Sequence, residues 1–361
     1  MIQIHNLCIQ LSEFSLKNIN IHIKEHEFFV LLGPTGSGKT LLVESIAGLT
    51  PITSGKIIIK GQDMTHAPPE KRKVGIVYQD YALFPHMTVM ENIQYGLAYH
   101  THGPDDLQRI QDLMTKTGII KLSHRKIKHL SGGEKQRIAL IRALAVNPSV
   151  VLLDEPLSSL DPGFRDDIQN LLKMLHKNTG TTFLMVTHNF AEAFFLGERG
   201  AILNQGVLEQ CSPVDALFSS PQTPFVARFV GFKNIFRAQI KNNLAKTNHF
   251  ELEIPPPILP DVDQICFRGE DIQVFSTRPN SNQRNTLYGK IQNIIDRGPY
   301  FDLSINVNNT LIHVSMTKSE LINNAYCVEK EIYLVIPNQA IHTLAADKTY
   351  VENEFPNLGN T

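Results

Sequence analysis

The feature that most constrains the fold of this chain is a glycine-rich loop between an apolar strand and a helix. Residues 28–32 form a continuous apolar run with the length of a buried strand. A periodic apolar pattern over residues 41–49 predicts a helix. The segment between them reads Gly-Pro-Thr-Gly-Ser-Gly-Lys-Thr, which fits the pattern G-x-x-x-x-G-K-[ST]. A strand, a glycine-rich turn and a helix in this order predict an α/β unit whose loop binds phosphate.

The residue types in this loop suit phosphate oxygens. Its glycines let backbone N–H groups curl around an anion, and the following helix aims its positive end at the same charge. We expect Lys39 to contact the β- and γ-phosphates of a nucleoside triphosphate and Thr40 to offer its hydroxyl to Mg²⁺. A chance glycine turn is the alternative, and the strand–helix context argues against it. The predicted nucleotide-binding residues of this loop are Gly33, Pro34, Thr35, Gly36, Ser37, Gly38, Lys39 and Thr40.

Two adjacent carboxylates follow a second buried strand. The apolar run 150–153 leads directly into Asp154 and Glu155. We expect Asp154 to hold Mg²⁺ and Glu155 to polarise the attacking water, because a single carboxylate cannot do both well. A solvated acidic turn is the simpler interpretation, but a phosphate-binding loop in the same chain favours the functional one.

A third motif, at residues 130–137, reads Leu-Ser-Gly-Gly-Glu-Lys-Gln-Arg and precedes a helical pattern over 138–145. Ser131 followed three residues later by Glu134 fits a helix capping box, which by itself is a structural feature. Small residues at a helix N-terminus also bind anions through backbone N–H groups. Capping and anion binding therefore both remain possible for this motif when it is considered alone.

Taken together, these motifs resemble those of ABC transporter ATPases, in which residues 130–137 correspond to the signature motif. The resemblance implies further site residues. Gln79 resembles the Q-loop glutamine that joins the metal site to the membrane partner, and residues 158–161 resemble the D-loop that couples two ATP sites. His188 resembles the switch histidine that contacts the γ-phosphate, and Phe14 is the candidate for stacking on adenine. The signature residues expected to bind nucleotide are Ser131, Gly132, Gly133 and Gln136.

The resemblance also implies a mechanism and partners. Two copies are expected to pair head to tail around two ATP, each ATP lying between Lys39 of one copy and Ser131 of the other. Catalysis is expected from Glu155, His188 and Gln79. A membrane permease is expected to dock on residues 79–86, and an extracytoplasmic substrate-binding protein to act with it. The implied location is the cytoplasmic face of the membrane, as a peripheral subunit. The predicted ligands of Mg²⁺ are Thr40, Gln79 and Asp154.

The chain is predicted to fold into two domains. Strand candidates at 74–78 and 182–186 extend the α/β pattern of the first domain, set at 1–234 with a helical subdomain at about 85–145. Glycine-punctuated strands at about 55–60 and 200–208 are expected to be antiparallel or peripheral. Short β-type runs separated by polar turns follow, which predict a small all-β barrel at 235–361. The fold class is therefore a P-loop ABC-type α/β domain followed by an all-β domain that resembles the TOBE domain.

Composition excludes several other classes of protein. The formal net charge is −1, which does not favour a nucleic acid as partner. The four cysteines form no CxxC pair, so neither a zinc site nor a dithiol site is indicated. No apolar run approaches the ~18 residues of a membrane span, and the N-terminus does not resemble a signal peptide.

The resemblance can be narrowed to importers. The chain looks most like the ATPases of molybdate, tungstate and related oxyanion importers at residues 68–72 and 79–86. The broader group of such ATPases also includes those of sulfate, sugar, polyamine and ferric-iron importers. Gly269 stands where many relatives carry proline, and residues 336–338 stand where oxyanion-binding relatives carry a lysine. Oxyanion sensing and a purely structural or dimerising role therefore both stay open for the second domain. A non-transport ABC ATPase is an alternative, but this chain has neither coiled-coil insertions nor a second cassette. A catalytically silent module is disfavoured because the lysine, both carboxylates and the histidine are intact.

Overall fold

The computed structural model describes residues 1–99, 103–256, 262–279 and 284–345. Contacts between Cα atoms divide the chain into two compact units, Met1–Leu217 and Phe218–Thr361. We call them the N-terminal unit and the C-terminal unit. The last part of the predicted second domain, residues 346–361, lies outside the described residues. None of the described helices is both long enough and apolar enough to cross a bilayer.

The N-terminal unit combines two sheets with helices. Its strands are β1 (Ile2–Gln10), β2 (Ser15–Ile23), β3 (Phe28–Leu32), β4 (Ser54–Ile59), β5 (Gln62–Asp63), β6 (Val74–Val77), β7 (Val150–Asp154), β8 (Thr182–Val186), β9 (Arg199–Asn204) and β10 (Val207–Pro213). Its helices are α1 (Lys39–Ala47), α2 (Val89–Gln94), α3 (Pro104–Lys116), α4 (Gly132–Ala145), α5 (Pro162–Thr179) and α6 (Phe190–Leu196), and α7 (Val214–Ser219) crosses the boundary between the units.

The central sheet has the strand order β10-β9-β3-β8-β7-β6, and all neighbouring strands except β10 and β9 run parallel. Strands β3, β7 and β8 are buried along their whole length. Parallel strands covered on both faces are uniformly apolar, which is why these three were readable as continuous apolar runs. The α/β prediction for this part of the chain is confirmed.

The edge of the central sheet differs from expectation. A single strand over 200–208 is wrong, since β9 and β10 form an antiparallel hairpin across Gln205 and Gly206, but the expected antiparallel, peripheral placement holds for β10 at the sheet edge. Both turn residues have left-handed φ angles, 45° and 78°. Such a turn reverses the chain within two residues. The apolar pattern continues from one strand into the next, so it does not mark the turn.

An antiparallel sheet with the order β2-β1-β4-β5 packs beside the central sheet through one apolar core. The core includes Ile4, Leu16 and Ile57 from the antiparallel sheet and Leu31 and Leu203 from the central one. Phe14 lies in the segment just before β2 and packs against the same core. This packing fixes Phe14 relative to the loop after β3.

The predicted helical subdomain consists of α2, α3 and α4. Helix α4 is buried over most of its length and packs against α2, α3 and β6. Helix α2 begins at Thr88 with a capping box completed by Glu91. Because α4 contacts both β6 and α2, it is positioned to hold the segment that connects them, residues 78–88.

The C-terminal unit is dominated by antiparallel strands. These strands are β11 (Asn234–Arg237), β12 (Gln239–Lys241), β13 (Leu244–Lys246), β14 (Glu251–Glu253), β15 (Val262–Phe267), β16 (Gln273–Phe275), β17 (Thr286–Asp296), β18 (Phe301–Val307), β19 (Thr310–Met316), β20 (Glu331–Val335) and β21 (His342–Ala345). Short helices lie at α8 (Pro224–Phe229) and α9 (Lys318–Asn323). The sheet orders are β11-β15-β21, β12-β13-β14 and β16-β20-β17-β18-β19. A separate core fills this unit, which confirms the predicted all-β fold class.

Candidate functional site

Strand register brings the predicted site residues to one edge of the central sheet. Val77 of β6 pairs with Leu153 of β7, and Asp154 pairs with Val186 of β8. Leu31 of β3 also pairs with Val186. The carboxyl ends of four parallel strands therefore lie side by side, which is where open α/β sheets bind ligands. The loop 33–40, Gln79, Asp154–Glu155 and His188 all follow these strand ends.

The glycine-rich loop is tightly built against the sheet. Gly33 has φ 150°, and a Cβ there would lie 2.1 Å from the carbonyl oxygen of Leu203. Gly38, immediately before α1, has φ 100°. Ser37 is buried, and its hydroxyl has no hydrogen-bond partner among the described residues. Only a loop with these glycines can follow this path, and the path exposes backbone N–H groups at the start of α1.

Lys39 turns back into the loop. Its ammonium group donates to the carbonyl oxygens of Gly33 at 2.9 Å and Pro34 at 2.8 Å, and the residue is 6% exposed. Burial lowers the pKa of Lys39, while the nearby carboxylates of Glu155 and Asp154 act to raise it. A positive charge is thus held inside the curve of the loop, where an anionic ligand would meet it.

Asp154 and Thr40 form the neighbouring polar pair. The Thr40 hydroxyl donates a hydrogen bond to the Asp154 carboxylate, joining the first turn of α1 to the tip of β7. Burial raises the pKa of Asp154, and the charges of Glu155 and Glu44 act in the same direction. A desolvated carboxylate beside a hydroxyl is an oxygen donor set that fits Mg²⁺.

The described residues include no group of three or more His, Cys, Asp or Glu side chains arranged to hold a metal ion.

Glu155 and His188 lie together beyond this pair. The His188 Nδ1 atom is 3.3 Å from the Glu155 Oε2 atom, and His188 is the more exposed side chain, 62% against 25%. The backbone of Glu155 is left-handed, with φ 46°. Its N–H donates to the carbonyl of Val186 at 3.1 Å, which fixes the carboxylate at the strand ends. The two residues expected to act on water and on the γ-phosphate are therefore in contact.

Phe14 shares a cavity with the loop. The cavity measures about 380 Å³ and includes Glu155 in its wall. The ring carbons of Phe14 come within 2.8 Å of the place where a Cβ on Gly38 would lie. The other lining residues are Leu11, Thr35, Gly36, Gly38, Lys39, Thr40, Leu41 and Glu44. Phe14 is thus next to the first turn of α1, as an adenine-stacking residue must be.

The signature residues lie elsewhere. Ser131 caps α4, its hydroxyl accepting from the Glu134 N–H at 3.3 Å while Glu134 accepts from the Ser131 N–H at 2.8 Å. The capping box predicted from sequence is confirmed. Ser131 is exposed and Gly132 half-buried, but none of the signature residues lines the cavity of the loop.

Gln136 does not share this exposure. The residue is fully buried, and neither atom of its side-chain amide has a hydrogen-bond partner among the described residues. Gly133 is also buried. Of the four signature residues predicted to bind nucleotide, Ser131 and Gly132 are therefore the two with surface accessible to a ligand. Nucleotide binding by Gln136 stays a prediction.

Gln79 is exposed and is the second residue after the end of β6. The segment that follows Gln79 is held by side chains that were not predicted from the sequence. Arg142 of α4 donates to the carbonyls of Tyr81 and Ala82 at 3.0 and 2.7 Å. Asn92 of α2 bonds both the N–H and the carbonyl of Phe84. Arg142 interrupts an otherwise apolar helical run. A charged residue in such a run is the signal from which a buried hydrogen-bond partner could have been predicted.

A larger cavity, of about 810 Å³, is lined by residues of the C-terminal unit. Two cations line it, and both are paired. Lys233 is 2.6 Å from Asp302, and Arg268 is 3.3 Å from Glu270.

Comparison with known proteins identifies the family. The ABC transporter model matches residues 16–158. The molybdate/tungstate import ATP-binding protein of Pyrococcus horikoshii is 36% identical over 343 residues, which is 95% of this chain and 99% of that protein. This chain is an ABC transporter ATP-binding protein. The predicted family and the ATPase class of the enzyme are confirmed, and ATP is the nucleotide of this family.

Other ABC transporter proteins extend the comparison. The spermidine/putrescine import ATP-binding protein of Pseudomonas fluorescens is 36% identical, with 90% of this chain and 92% of that protein covered. A solved structure of the ATP-binding cassette MJ0796, a dimer in a post-hydrolysis state with ADP and Pi, is 30% identical with a TM-score of 0.53. It covers 59% of this chain and 99% of that one, and so confirms the ABC ATPase fold.

Proposed function

We propose that this chain is the ATP-hydrolysing subunit of an importer, working as a head-to-tail dimer that drives a separate membrane permease. The observation that supports the proposal is the meeting of four functional segments at the carboxyl ends of β3, β6, β7 and β8. Within that meeting point, the contact of 3.3 Å between Glu155 and His188 joins the proposed base to the proposed phosphate sensor.

Each residue has one proposed task at this edge. The N–H groups of the loop and the ammonium of Lys39 bind the phosphates of ATP, and Phe14 stacks on the adenine. Thr40 and Asp154, with the Gln79 side chain, hold the magnesium ion, which neutralises phosphate charge when bound. Glu155 orients water and accepts its proton, and the exposed imidazole of His188 contacts the γ-phosphate.

The dimer follows from where the signature residues lie. Ser131 and Gly132 have accessible surface, yet they do not line the cavity that holds Lys39 in their own copy. A second copy turned head to tail would place them against the ATP of the first. The solved dimer of the similar cassette MJ0796 supports this arrangement.

The permease is proposed to dock on residues 79–86. Pro85 and His86 are exposed, and Phe84 packs against Tyr95 of the helical subdomain with ring centroids 4.4 Å apart. Beside them lies an open groove of about 470 Å³, lined by His86, Met87, Glu91, Gln94, Tyr95 and Lys126. Docking there would place the subunit at the cytoplasmic face of the membrane, and a substrate-binding protein would act on the far side.

The decisive experiment is a Glu155→Gln substitution in the full chain. The variant keeps the shape of the site but loses the proton acceptor, so it is expected to bind ATP, dimerise with Mg-ATP and lose at least about 100-fold in kcat. Glu25→Gln, which neutralises an exposed carboxylate elsewhere in the unit, is the matched control. Hydrolysis by the Glu155 variant at the rate of the control would refute the assigned role.

The cargo is proposed to be molybdate or tungstate, because a similar protein that is named for these oxyanions matches nearly the whole chain. Polyamines are the alternative, given the similar spermidine/putrescine protein. Cells whose own copy carries Glu155→Gln should lose high-affinity molybdate and tungstate uptake and retain spermidine uptake. The reverse pattern would assign the chain to a polyamine importer.

A further inference from the structure

The segment after Gln79 has an unusual backbone that one helix holds in place. Tyr81 and Ala82 both have left-handed φ angles, 65° and 45°. Such angles are uncommon for residues other than glycine and persist only where contacts hold them. The two hydrogen bonds from Arg142 to their carbonyls supply that hold. Helix α4, which starts at the signature motif, is thereby fastened to the Q-loop.

The side chain of Tyr81 makes a second connection, to the D-loop. Its hydroxyl shares a hydrogen bond of 2.9 Å with the Ser159 hydroxyl, and Ser159 in turn donates to the Gln79 carbonyl at 3.3 Å. A Cβ added to Gly132 would lie 3.2 Å from the same tyrosine oxygen. One phenol hydroxyl thus lies where the Q-loop, the D-loop and the signature motif approach one another.

The D-loop also bonds to the proposed catalytic base. The Ser158 hydroxyl and N–H both point to the carbonyl of Glu155, at 2.9 and 3.3 Å. The backbone of Glu155 is left-handed, a conformation that persists in a residue other than glycine only where its surroundings hold it. Ser158 contributes to fixing it, so a shift of residues 158–159 would move the Glu155 carboxylate.

We propose that Tyr81 is a positioning residue, whose hydroxyl ties the Q-loop to the D-loop and so sets where Glu155 stands. Displacement of the Q-loop is then carried through Ser159 and Ser158 to the base, and through Arg142 to the signature helix. The inference rests on the proposed hydrolysis by Glu155. It adds a residue and a route within one copy of the chain.

The test measures kcat and KM for ATP on the full chain carrying Tyr81→Phe. Losing one hydrogen bond of ordinary net strength should lower kcat about fivefold while KM changes less than about twofold. Because only an oxygen is removed from a half-exposed ring, the thermal midpoint should stay within about 2 °C. Tyr300→Phe, which removes a hydroxyl from an exposed tyrosine of the C-terminal unit, is the matched control.

A double-mutant cycle separates a true link from two independent effects. Ser159→Ala should reduce kcat about as much as Tyr81→Phe, and the double variant should lose little more than either. Ser159→Thr retains a hydroxyl and should keep kcat within about twofold of the unsubstituted chain. Additive losses in the double variant, or a Tyr81→Phe enzyme with unchanged kcat, would overturn the proposal.

The same kinetic measurements distinguish failure of the Tyr81 proposal from failure of the proposed function. If the unsubstituted chain hydrolyses ATP and Glu155→Gln does not, the proposed function stands whatever Tyr81→Phe shows. If Glu155→Gln hydrolyses normally, the role assigned to Glu155 in the proposed function fails, and the positioning role of Tyr81 fails with it.

Discussion

The glycine that begins the phosphate-binding loop offers a sharp test of the loop's construction. A Cβ at Gly33 would lie 2.1 Å from the carbonyl oxygen of Leu203 in β9, a backbone atom that cannot rotate away. The backbone there has φ 150°, where an L-residue is strained even without a neighbour. Gly33→Ala should therefore push β9 away from β3 or distort the loop.

The magnitude follows from a comparison within the same loop. Gly36 has φ 78°, and a Cβ there meets nothing within 4 Å. Gly36→Ala should cost only the left-handed penalty, about 1–2 kcal/mol. Gly33→Ala adds overpacking, commonly about 1–3 kcal/mol, to a backbone penalty of similar size, giving about 2–6 kcal/mol in all, with a midpoint of about 4 kcal/mol.

Thermal unfolding of the ATP-free full chain, followed by circular dichroism, measures the difference. At about 2–4 °C per kcal/mol for a unit of this size, Gly36→Ala should lower the midpoint by about 4 °C and Gly33→Ala by about 12 °C. Equal midpoints for the two variants would show that β9 yields without cost, and the close approach would then not explain the glycine.

Three further predictions use other parts of the chain. Phe14→Ala should weaken ATP binding about tenfold, because a base–aromatic stack contributes about 1–3 kcal/mol. Inorganic tripolyphosphate, which has no base, should bind this variant with unchanged affinity. Equal weakening of both ligands would contradict stacking. Asn92→Ala should lower the thermal midpoint by about 6 °C, because it leaves the Phe84 N–H unpaired and removes one of the two hydrogen bonds to the Phe84 carbonyl, a loss of about 2 kcal/mol. Burial raises the pKa of Cys266 to about 12, so at pH 8 a disulfide reagent should label exposed Cys327 in the native chain and Cys266 only after unfolding, as peptide mapping would show.

Local patterns in the sequence were sufficient for the parts of the fold that rest on uniform burial. Strands β3 and β8 lie at the predicted residues, because a strand covered on both faces is apolar throughout and ends where its polar residues begin. The short strands β11 to β14 were not predicted. They contain charged and exposed residues, so their pairing depends on neighbours that no local pattern records.

The candidate site shows the same limit. The residues that follow strand ends were found from motifs, and strand register then brought them together. The bond between Tyr81 and Ser159 was not foreseeable, because both side chains have accessible surface and nothing in either segment specifies the other. Likewise, the complete burial of Gln136 reflects packing of α4 from several sides.

The separation of Ser131 from the cavity that contains Lys39 has a genetic consequence. In a head-to-tail pair, damage to either residue is not confined to the chain that carries it. A chain with a defective lysine still lends its signature surface to a normal partner, and a chain with a defective serine still offers its lysine. Each mixed pair of these two inactive chains should therefore contain one intact site out of two, and activity should reappear from components that have none alone.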